Sequence, residues 1–227
     1  MNNPRQAAAA CVHAVCERGE SLDDALPAAA AGLSENDLSL CRALSYGGVR
    51  WYAAYRADLD LNLKKPFKPK DRILYAILAT ALYQLDATHH APHAVVNEAV
   101  KLAGKFRRQW AGGLVNALLR GHIRRQGEDA SRDQAAWVRS AFPDWMVDQL
   151  GTAWPLQLDT VLEASQAKPP MTLRVNLQTT TVADYLARLG EHEIRAFPCT
   201  HSRSGVTLEH ALPVERLPGF GDATVSI

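Results

Sequence analysis

The chain has 227 residues, of which 47% are hydrophobic and 22% are charged, with a formal net charge of +1. This length suits one or two globular domains with a sizeable core, and no apolar run approaches the ~20 residues of a membrane span. The N-terminus also lacks the charged and apolar regions of a secretory signal peptide, so we expect a cytoplasmic protein and not a membrane-spanning or exported one.

The first part of the chain shows the patterns of α-helices. Asn3 followed by Pro4 is typical of a helix start, and Gly19 is typical of the end of that helix. Ser34 and Asp37 have the spacing of a capping box, which predicts that a second helix begins there.

The clearest helix is predicted over residues 70–86. Its apolar residues recur at spacings of three and four, as on one helix face: Leu74, Ile77, Leu78, Ala81, Leu82 and Leu85. Two further amphipathic helices are predicted, one starting at Pro92 and one over residues 110–125. Short loops between such helices predict a compact all-helical bundle.

The second part of the chain changes character twice. A polar stretch at residues 127–133 predicts a boundary, and short helices are expected around Trp137, Trp145 and Leu158. Beyond Lys168 the pattern predicts a strand, a helix and two strands, at residues 171–176, 181–190, 194–197 and 206–209. We therefore predict a helical domain, a helical connector and a small α/β unit, at residues 1–126, 127–168 and 169–227.

The charge is unevenly distributed along the chain. Through residue 125 there are 17 Lys and Arg against 11 Asp and Glu, whereas the remainder has 8 against 13. The excess is greatest between residues 61 and 125, with 12 basic and three acidic residues. A basic half joined to an acidic half indicates a polyanionic partner.

These basic residues have two interpretations. Several lie near predicted helix C-termini, where the helix dipole favours cations, so they are solvated helix ends on the first interpretation. On the second, they supply the phosphate attraction that dominates nucleic-acid affinity. The RNA-binding residues would then be Lys64, Lys65, Lys68, Lys70, Arg72, Lys101, Lys105, Arg107, Arg108, Arg120, Arg124 and Arg125.

Two polar groups lie among the helices. His93, Asn97 and Glu98 form either a polar site or, as we expect, a group that satisfies the start of the helix at Pro92. Asn116 has apolar neighbours, so we expect it to be buried and to tie two helices together by hydrogen bonds.

Several strings carry a resemblance to known families. The first half resembles the NusB-like helical domain, in order and spacing, at Tyr46-Gly-Gly-Val-Arg50, Lys70-Asp-Arg72, Tyr83-Gln-Leu85, Pro92-His-Ala-Val-Val-Asn-Glu-Ala-Val100 and Gly113-Leu-Val-Asn-Ala-Leu-Leu-Arg120. The second half resembles the lead-in to the catalytic domain of bacterial 16S rRNA cytosine-C5 methyltransferases, which carry a NusB-like domain at the front. Those strings are Phe142-Pro-Asp-Trp145, Pro169-Pro-Met-Thr-Leu-Arg-Val-Asn176 and Leu217-Pro-Gly-Phe220.

The resemblance implies both fold and function. It implies a mainly α fold: a NusB-like bundle, a helical connector and a small, incomplete α/β unit of RNA-binding type. The implied function is to bind small-subunit rRNA for a cytosine-C5 methyltransferase. The alternatives are a stand-alone NusB-like antitermination factor, against which the second half argues, and a helical scaffold for protein interaction.

The resemblance also implies a cofactor and a set of catalytic residues. The resemblance implies S-adenosylmethionine as the cofactor of a full-length member, held by an Asp-x-Cys-x-x-Pro-Gly-Gly-Lys string that does not occur in these 227 residues. We therefore expect no catalytic or cofactor-binding residue here and no methyl transfer by this chain alone. The methyltransferase domain is expected to pack against residues 169–227, where Arg174 either contacts RNA or pairs with an acid such as Glu209.

The cysteines fit the same expectation. Cys11, Cys16, Cys41 and Cys199 form no Cys-x-x-Cys motif and no His/Cys cluster, so neither a disulfide framework nor a metal site is predicted. Cys199 follows Pro198, as the nucleophile of the family follows proline. Because it lies outside the expected catalytic domain, we expect it to be an inert thiol.

Overall fold

The computed structural model describes residues 3–88, 90–128, 133–167 and 169–227. The chain divides into two compact units, Met1–Gln166 and Ala167–Ile227. The predicted three-part division stays a prediction. Residues 129–132, at its first boundary, and Lys168, at its second, lie outside the described residues.

The first unit is helical throughout, as predicted. Its helices are α1 (Pro4–Arg18), α2 (Leu22–Ala30), α3 (Glu35–Arg50), α4 (Tyr52–Asn62), α5 (Ile73–Ala87), α6 (Pro92–Lys105), α7 (Gly112–Glu128), α8 (Gln134–Arg139), α9 (Asp144–Ala153) and α10 (Leu158–Gln166). Two of them, α2 and α4, were not predicted individually. None of the helices in the described part of the chain is both long and apolar enough to cross a membrane.

The predicted helix starts have the expected capping geometry. The Asn3 side chain accepts hydrogen bonds from the N–H groups of Arg5 and Gln6, both at 3.0 Å. Gly19 ends α1 in the left-handed region, at φ 73°. At the start of α3, Ser34 Oγ accepts from the N–H of Asp37 at 3.3 Å and donates to its carboxylate at 3.1 Å. These contacts satisfy donors that a helix N-terminus otherwise leaves unpaired.

The centre of the first unit is α5, which packs against α1, α3, α4, α6 and α7. Five of the six residues of the predicted inward face are buried, with Leu78 fully inaccessible to solvent, and Leu85 is partly buried. The opposite side is covered as well, so that Tyr75 and Gln84 are also buried. Because helices surround α5, its burial is not confined to one face.

Two glycines allow α3 to approach α5 closely. A Cβ on Gly47 would lie 2.1 Å from Cζ of Tyr83, and one on Gly48 would lie 2.9 Å from Cγ2 of Val12. Real Cβ atoms do not come so near, so the packing at these positions depends on the missing side chains.

The second unit is a four-stranded antiparallel sheet with one helix. Its elements are β1 (Thr172–Val175), α11 (Val182–Glu191), β2 (Ala196–Pro198), β3 (Gly205–Leu208) and β4 (Val225–Ser226). The strand order is β2-β3-β1-β4, and β1 pairs Leu173 with Val206. The predicted small α/β unit is thus present, with the additional strand β4. Its core includes Leu173, Val206, Tyr185 and Leu189.

Candidate nucleic-acid interface

The loop from α4 to α5 carries four lysines on a fixed backbone. It contains Pro66, and Pro69 begins a short 3-10 turn at Pro69–Asp71. Between the prolines, Phe67 is 9% exposed, and its N–H donates to Oη of Tyr75 at 3.2 Å. The two rings meet edge to face, with centroids 4.8 Å apart. The buried Phe67 therefore anchors the loop, whose exposed side chains are Lys64, Lys65, Lys68 and Lys70.

The turn from α6 to α7 exposes an aromatic ring. Arg107 turns the chain at φ 58°, and a 3-10 turn follows at Gln109–Ala111. Within this turn Ala111 is fully buried, whereas Trp110 is 63% exposed. The burial of Ala111 fixes the backbone that presents the indole.

These two segments enclose a groove of about 810 Å³, which we call the lysine groove. Apolar side chains and lysines line it together. The lining residues are Asn62, Leu63, Lys64, Lys65, Pro66, Phe67, Lys68, Lys70, Asp71, Trp110 and Leu114. Four cations and an exposed tryptophan around an apolar surface are features of sites that bind nucleic-acid strands.

The single carboxylate of the lysine groove is already neutralised. Arg108 Nε lies 2.6 Å from Oδ1 of Asp71, and only 10% of the Asp71 side chain is exposed. The Arg108 guanidinium also donates to the backbone carbonyl of Lys70, in the opposite wall. Arg108 thus holds the two walls together and leaves the charge of the lysines uncompensated.

Other predicted RNA-binding residues are engaged within the protein. Arg72 binds Glu17 at 3.1 Å, and Arg125 binds Asp58 at 3.1 Å. Lys101 pairs with Glu98 at 2.8 Å, and Arg120 donates to Asn116 at 3.0 Å. Their RNA-binding role stays a prediction, but each has a structural contact that the sequence did not indicate.

The remaining predicted RNA-binding residues of the first unit are exposed. Lys105, Arg107 and Arg124 protrude into solvent at the ends of α6 and α7. Like the four groove lysines, they have no hydrogen-bonded or ion-paired side-chain partner within the described ranges. Among the predicted RNA-binding residues of the first unit, these seven side chains are therefore the ones available to a polyanion.

Arg174 lies on the sheet of the second unit. It is exposed on β1 and borders a pocket of about 520 Å³ together with Asn176, Gln178, Ser204 and Ser226. The suggested pairing of Arg174 with Glu209 is wrong, because Arg174 lies opposite Gly205 on β3 and Glu209 pairs with Arg195 at 3.7 Å. Contact of Arg174 with RNA stays a prediction.

Two expectations about polar side chains need correction. Asn116 is only half-buried, and its side chain accepts from Arg120 of the same helix instead of joining two helices. At the start of α6 no side chain caps the helix, so His93 and Asn97 do not play the expected role and are exposed. Their apolar neighbours in sequence belong to the opposite, buried face of each helix.

The three cysteines of the first unit have surroundings that disfavour the thiolate. All four cysteines are free thiols. Burial raises the pKa of Cys11 and of Cys41, and it raises the pKa of Cys16 to about 12. Such thiols stay protonated at neutral pH and are poor nucleophiles. Within the ranges that the structure describes, no group of three or more His, Cys, Asp or Glu is arranged to hold a metal ion.

The exposure of Trp110 is not predicted by the sequence pattern. This residue was placed inside a predicted helix, where an aromatic residue suggests a core position. The available signal was its place directly after Arg107, Arg108 and Gln109 and before two glycines. An aromatic residue between basic residues and a glycine pair is also compatible with an exposed stacking surface.

Two known families match the chain in succession, and the second match begins before the border of the two compact units. The family model of the NusB family matches residues 2–124, and that of the RsmF/B-like methyltransferase, ferredoxin-like domain, matches residues 142–215. A solved structure described as the crystal structure of PH0851 superposes over the whole chain with a TM-score of 0.57. At 11% identity, covering 53% of that chain, this likeness concerns the fold alone.

Curated relatives cover the full length of the chain. Proteins named ribosomal RNA small subunit methyltransferase B are 39% identical in Pseudomonas putida, 36% in Pseudomonas syringae and 33% in Escherichia coli. The matches include 99–100% of this chain but only 50–53% of the relatives, so the chain spans about half their length. Because the NusB model extends over the helices from α1 into α7, more than half of the sequence, the chain belongs to the NusB family.

Proposed function

We propose that this chain is the RNA-binding region of a 16S rRNA cytosine-C5 methyltransferase. The observation that carries the proposal is the lysine groove, in which four exposed lysines surround an apolar surface and the only carboxylate is paired. The names of the curated relatives support small-subunit rRNA as the partner. The contribution of the chain is to hold the RNA while the methyl group is transferred.

The chemistry of the whole protein is part of the same proposal. Its methyl donor is S-adenosylmethionine, its product 5-methylcytosine, and its location the cytoplasm. The domain that holds the cofactor packs against residues 169–227. A stand-alone antitermination factor is the weaker interpretation, since the relatives also match this chain throughout its second unit.

Salt-dependent RNA binding tests the proposal. We compare the wild-type chain with a triple variant in which Lys64, Lys65 and Lys68 are replaced by alanine. The ligand is a 16S rRNA fragment, and the dissociation constant is measured across a series of salt concentrations. Loss of three phosphate contacts lowers the slope of log K against log salt by about 2–3 and weakens binding most at low salt.

A matched variant controls for net charge. Replacing Arg42, Arg203 and Arg216 by alanine removes the same charge at exposed positions that do not line the lysine groove. This control keeps the wild-type slope if the groove is the contact surface. Equal slopes for all three proteins contradict the proposal, and so does the absence of salt-dependent RNA binding, which is the result expected for a protein-interaction scaffold.

A further inference from the structure

We propose that the lysine groove binds an unpaired nucleotide of single-stranded RNA, with Trp110 stacking on the base and the lysines contacting the adjoining phosphates. This inference rests on the proposed function and specifies the form of RNA that the site accepts. It begins from the exposure of Trp110, which leaves 63% of a large aromatic residue in water. Exposing a tryptophan forgoes the free energy that its burial provides, and such a residue is suited to a ligand contact.

The structure fixes the backbone that carries Trp110. The fully buried Ala111 follows it, and the Arg108 guanidinium joins the turn to the carboxylate of Asp71 across the groove. A ring on such a turn loses little conformational freedom when a ligand binds. Stacking on it is therefore favoured over stacking on a mobile side chain.

The apolar part of the groove matches a nucleobase in character and size. Leu63, Pro66, Phe67 and Leu114 line it beside the indole. Its volume of about 810 Å³ is within the range of ~300–1,000 Å³ found for small-ligand sites, so it accommodates a nucleotide. The lining of the groove offers stacking and apolar contact. Because every base can make these contacts, the groove does not indicate a preferred sequence.

The charges around the groove indicate the rest of the ligand. Lys64, Lys65, Lys68 and Lys70 are exposed, and Asp71 is occupied by Arg108. An apolar wall bordered by lysines is complementary to a ligand that has an apolar ring with a negative charge on either side. An RNA strand has such a ring and phosphates at each nucleotide, whereas in a duplex the base faces are covered by their neighbours. The groove therefore favours unpaired over paired RNA.

Fluorescence anisotropy with labelled RNA tests this inference. The probes are a 12-nucleotide single strand of mixed sequence and the same strand annealed to its complement. Trp110→Ala weakens binding of the single strand by about 5- to 150-fold, the effect of one lost base stack, and leaves duplex binding unchanged. It also leaves the salt slope unchanged because the indole carries no charge.

Two further variants control for the ring and for the fold. Trp110→Phe retains an aromatic face and restores single-strand affinity to within about threefold of wild type. Trp145→Ala removes a tryptophan that is 59% exposed on α9, outside the groove, and leaves single-strand affinity unchanged. Equal losses for single strand and duplex, or no rescue by phenylalanine, overturn the inference.

The outcomes separate this inference from the proposed function. If the triple lysine variant loses its salt slope while Trp110→Ala binds normally, RNA binding stands and base stacking is wrong. If neither variant changes RNA binding, the proposed function fails as well. Competition with a poly-glutamate peptide distinguishes a protein ligand: displacement of labelled RNA as effective as that by unlabelled RNA identifies an acidic-peptide site and overturns the inference.

Discussion

The structure contains two groups of positively charged side chains whose surroundings differ, although the sequence alone does not distinguish them. In the first group, Arg56 and Arg72 bind the carboxylate of Glu17 at 2.9 and 3.1 Å, and only 4% of that side chain is exposed. In the second group, the lysines of the groove point into solvent from an anchored loop. The first group links helices of the bundle, whereas the second has no structural partner within the described ranges and is available to a ligand.

This difference shows how a charge count misleads. Only three acidic residues lie among the 12 basic ones between residues 61 and 125. Two of those three, Asp71 and Glu98, nevertheless pair with predicted RNA-binding residues, Arg108 and Lys101. Carboxylates earlier in the chain bind Arg72 and Arg125. The local excess of positive charge therefore overstates the surface that can contact phosphate.

The largest expected effect comes from the core that supports both groups. Leu78→Ala removes a fully buried side chain at the centre of α5 and lowers the free energy of unfolding by about 2–5 kcal/mol. RNA affinity under native conditions stays at the wild-type value because the groove is untouched. Urea denaturation checks the first outcome, with Leu61→Ala, at an 86% exposed position, as the control. A cost below about 0.5 kcal/mol contradicts the assigned burial.

Glu17→Ala probes the paired cations directly. The variant loses charged hydrogen bonds to Arg56 and Arg72 and the one that Tyr52 donates, and we expect a loss of about 1.5–3 kcal/mol in unfolding free energy. Both arginines are more than a third exposed, which lets water solvate them and limits the cost. Glu20→Ala breaks only an exposed pair with Arg18 and costs less than about 1 kcal/mol. Equal losses would remove the distinction between the two groups.

Lys105 and Arg107 test whether the unpaired cations contribute to RNA binding without contributing to stability. Their replacement by alanine changes stability by less than about 0.5 kcal/mol, as for exposed surface positions. If each contacts a phosphate, the salt slope of rRNA binding falls by about 0.7–0.9 per residue. Arg108→Ala serves as the contrasting variant, because it leaves the Asp71 carboxylate unpaired and lowers stability. Denaturation and binding titrations on the same samples check both expectations.

The smallest effect concerns the Lys101–Glu98 pair. A hydrogen bond from Lys101 lowers the pKa of Glu98, so the pair stabilises the fold when the carboxylate is ionised. This stabilisation is present above the unfolded-state pKa, near 4.3, and is lost as the pH falls through the lower folded-state value. We expect Glu98→Gln to cost about 0.2–0.5 kcal/mol at pH 7 and almost nothing at pH 2. A pH-independent cost contradicts this origin.

The sequence predicts local structure well where the signal is local. The capping pair at Ser34 and Asp37 forms as expected, and Thr181 and Asp184, which have the same spacing, form one at the start of α11. The hydrophobic spacing of α5 identifies its buried leucines. It does not reveal the burial of Gln84, because that depends on Arg5 of α1, which donates to Gln84 Oε1 from 79 positions away. Helix α4 was not predicted as a separate helix, because only Trp51 separates it from α3.

The candidate site was predictable only in part. The lysines of the loop were identified because they cluster in sequence. The sequence does not show which cations are free and which are paired. That distinction depends on contacts between distant residues, such as Arg72 and Glu17, which are 55 positions apart. Trp110 has no periodic signal that distinguishes an exposed turn from a buried helix, since its exposure follows from the short 3-10 turn that precedes α7.

The anchoring of the loop by Phe67 also determines how binding proceeds in time. Because the lysines are held on an ordered backbone, their electric field is present before a ligand arrives, and in the proposed RNA binding it accelerates encounter. Loss of these charges therefore slows association, and more salt reduces the difference. Loss of the Trp110 ring acts after encounter and shortens the residence time of the complex. In the proposed complex, the lysines at the rim of the groove therefore set the association rate, and its apolar wall sets the dissociation rate.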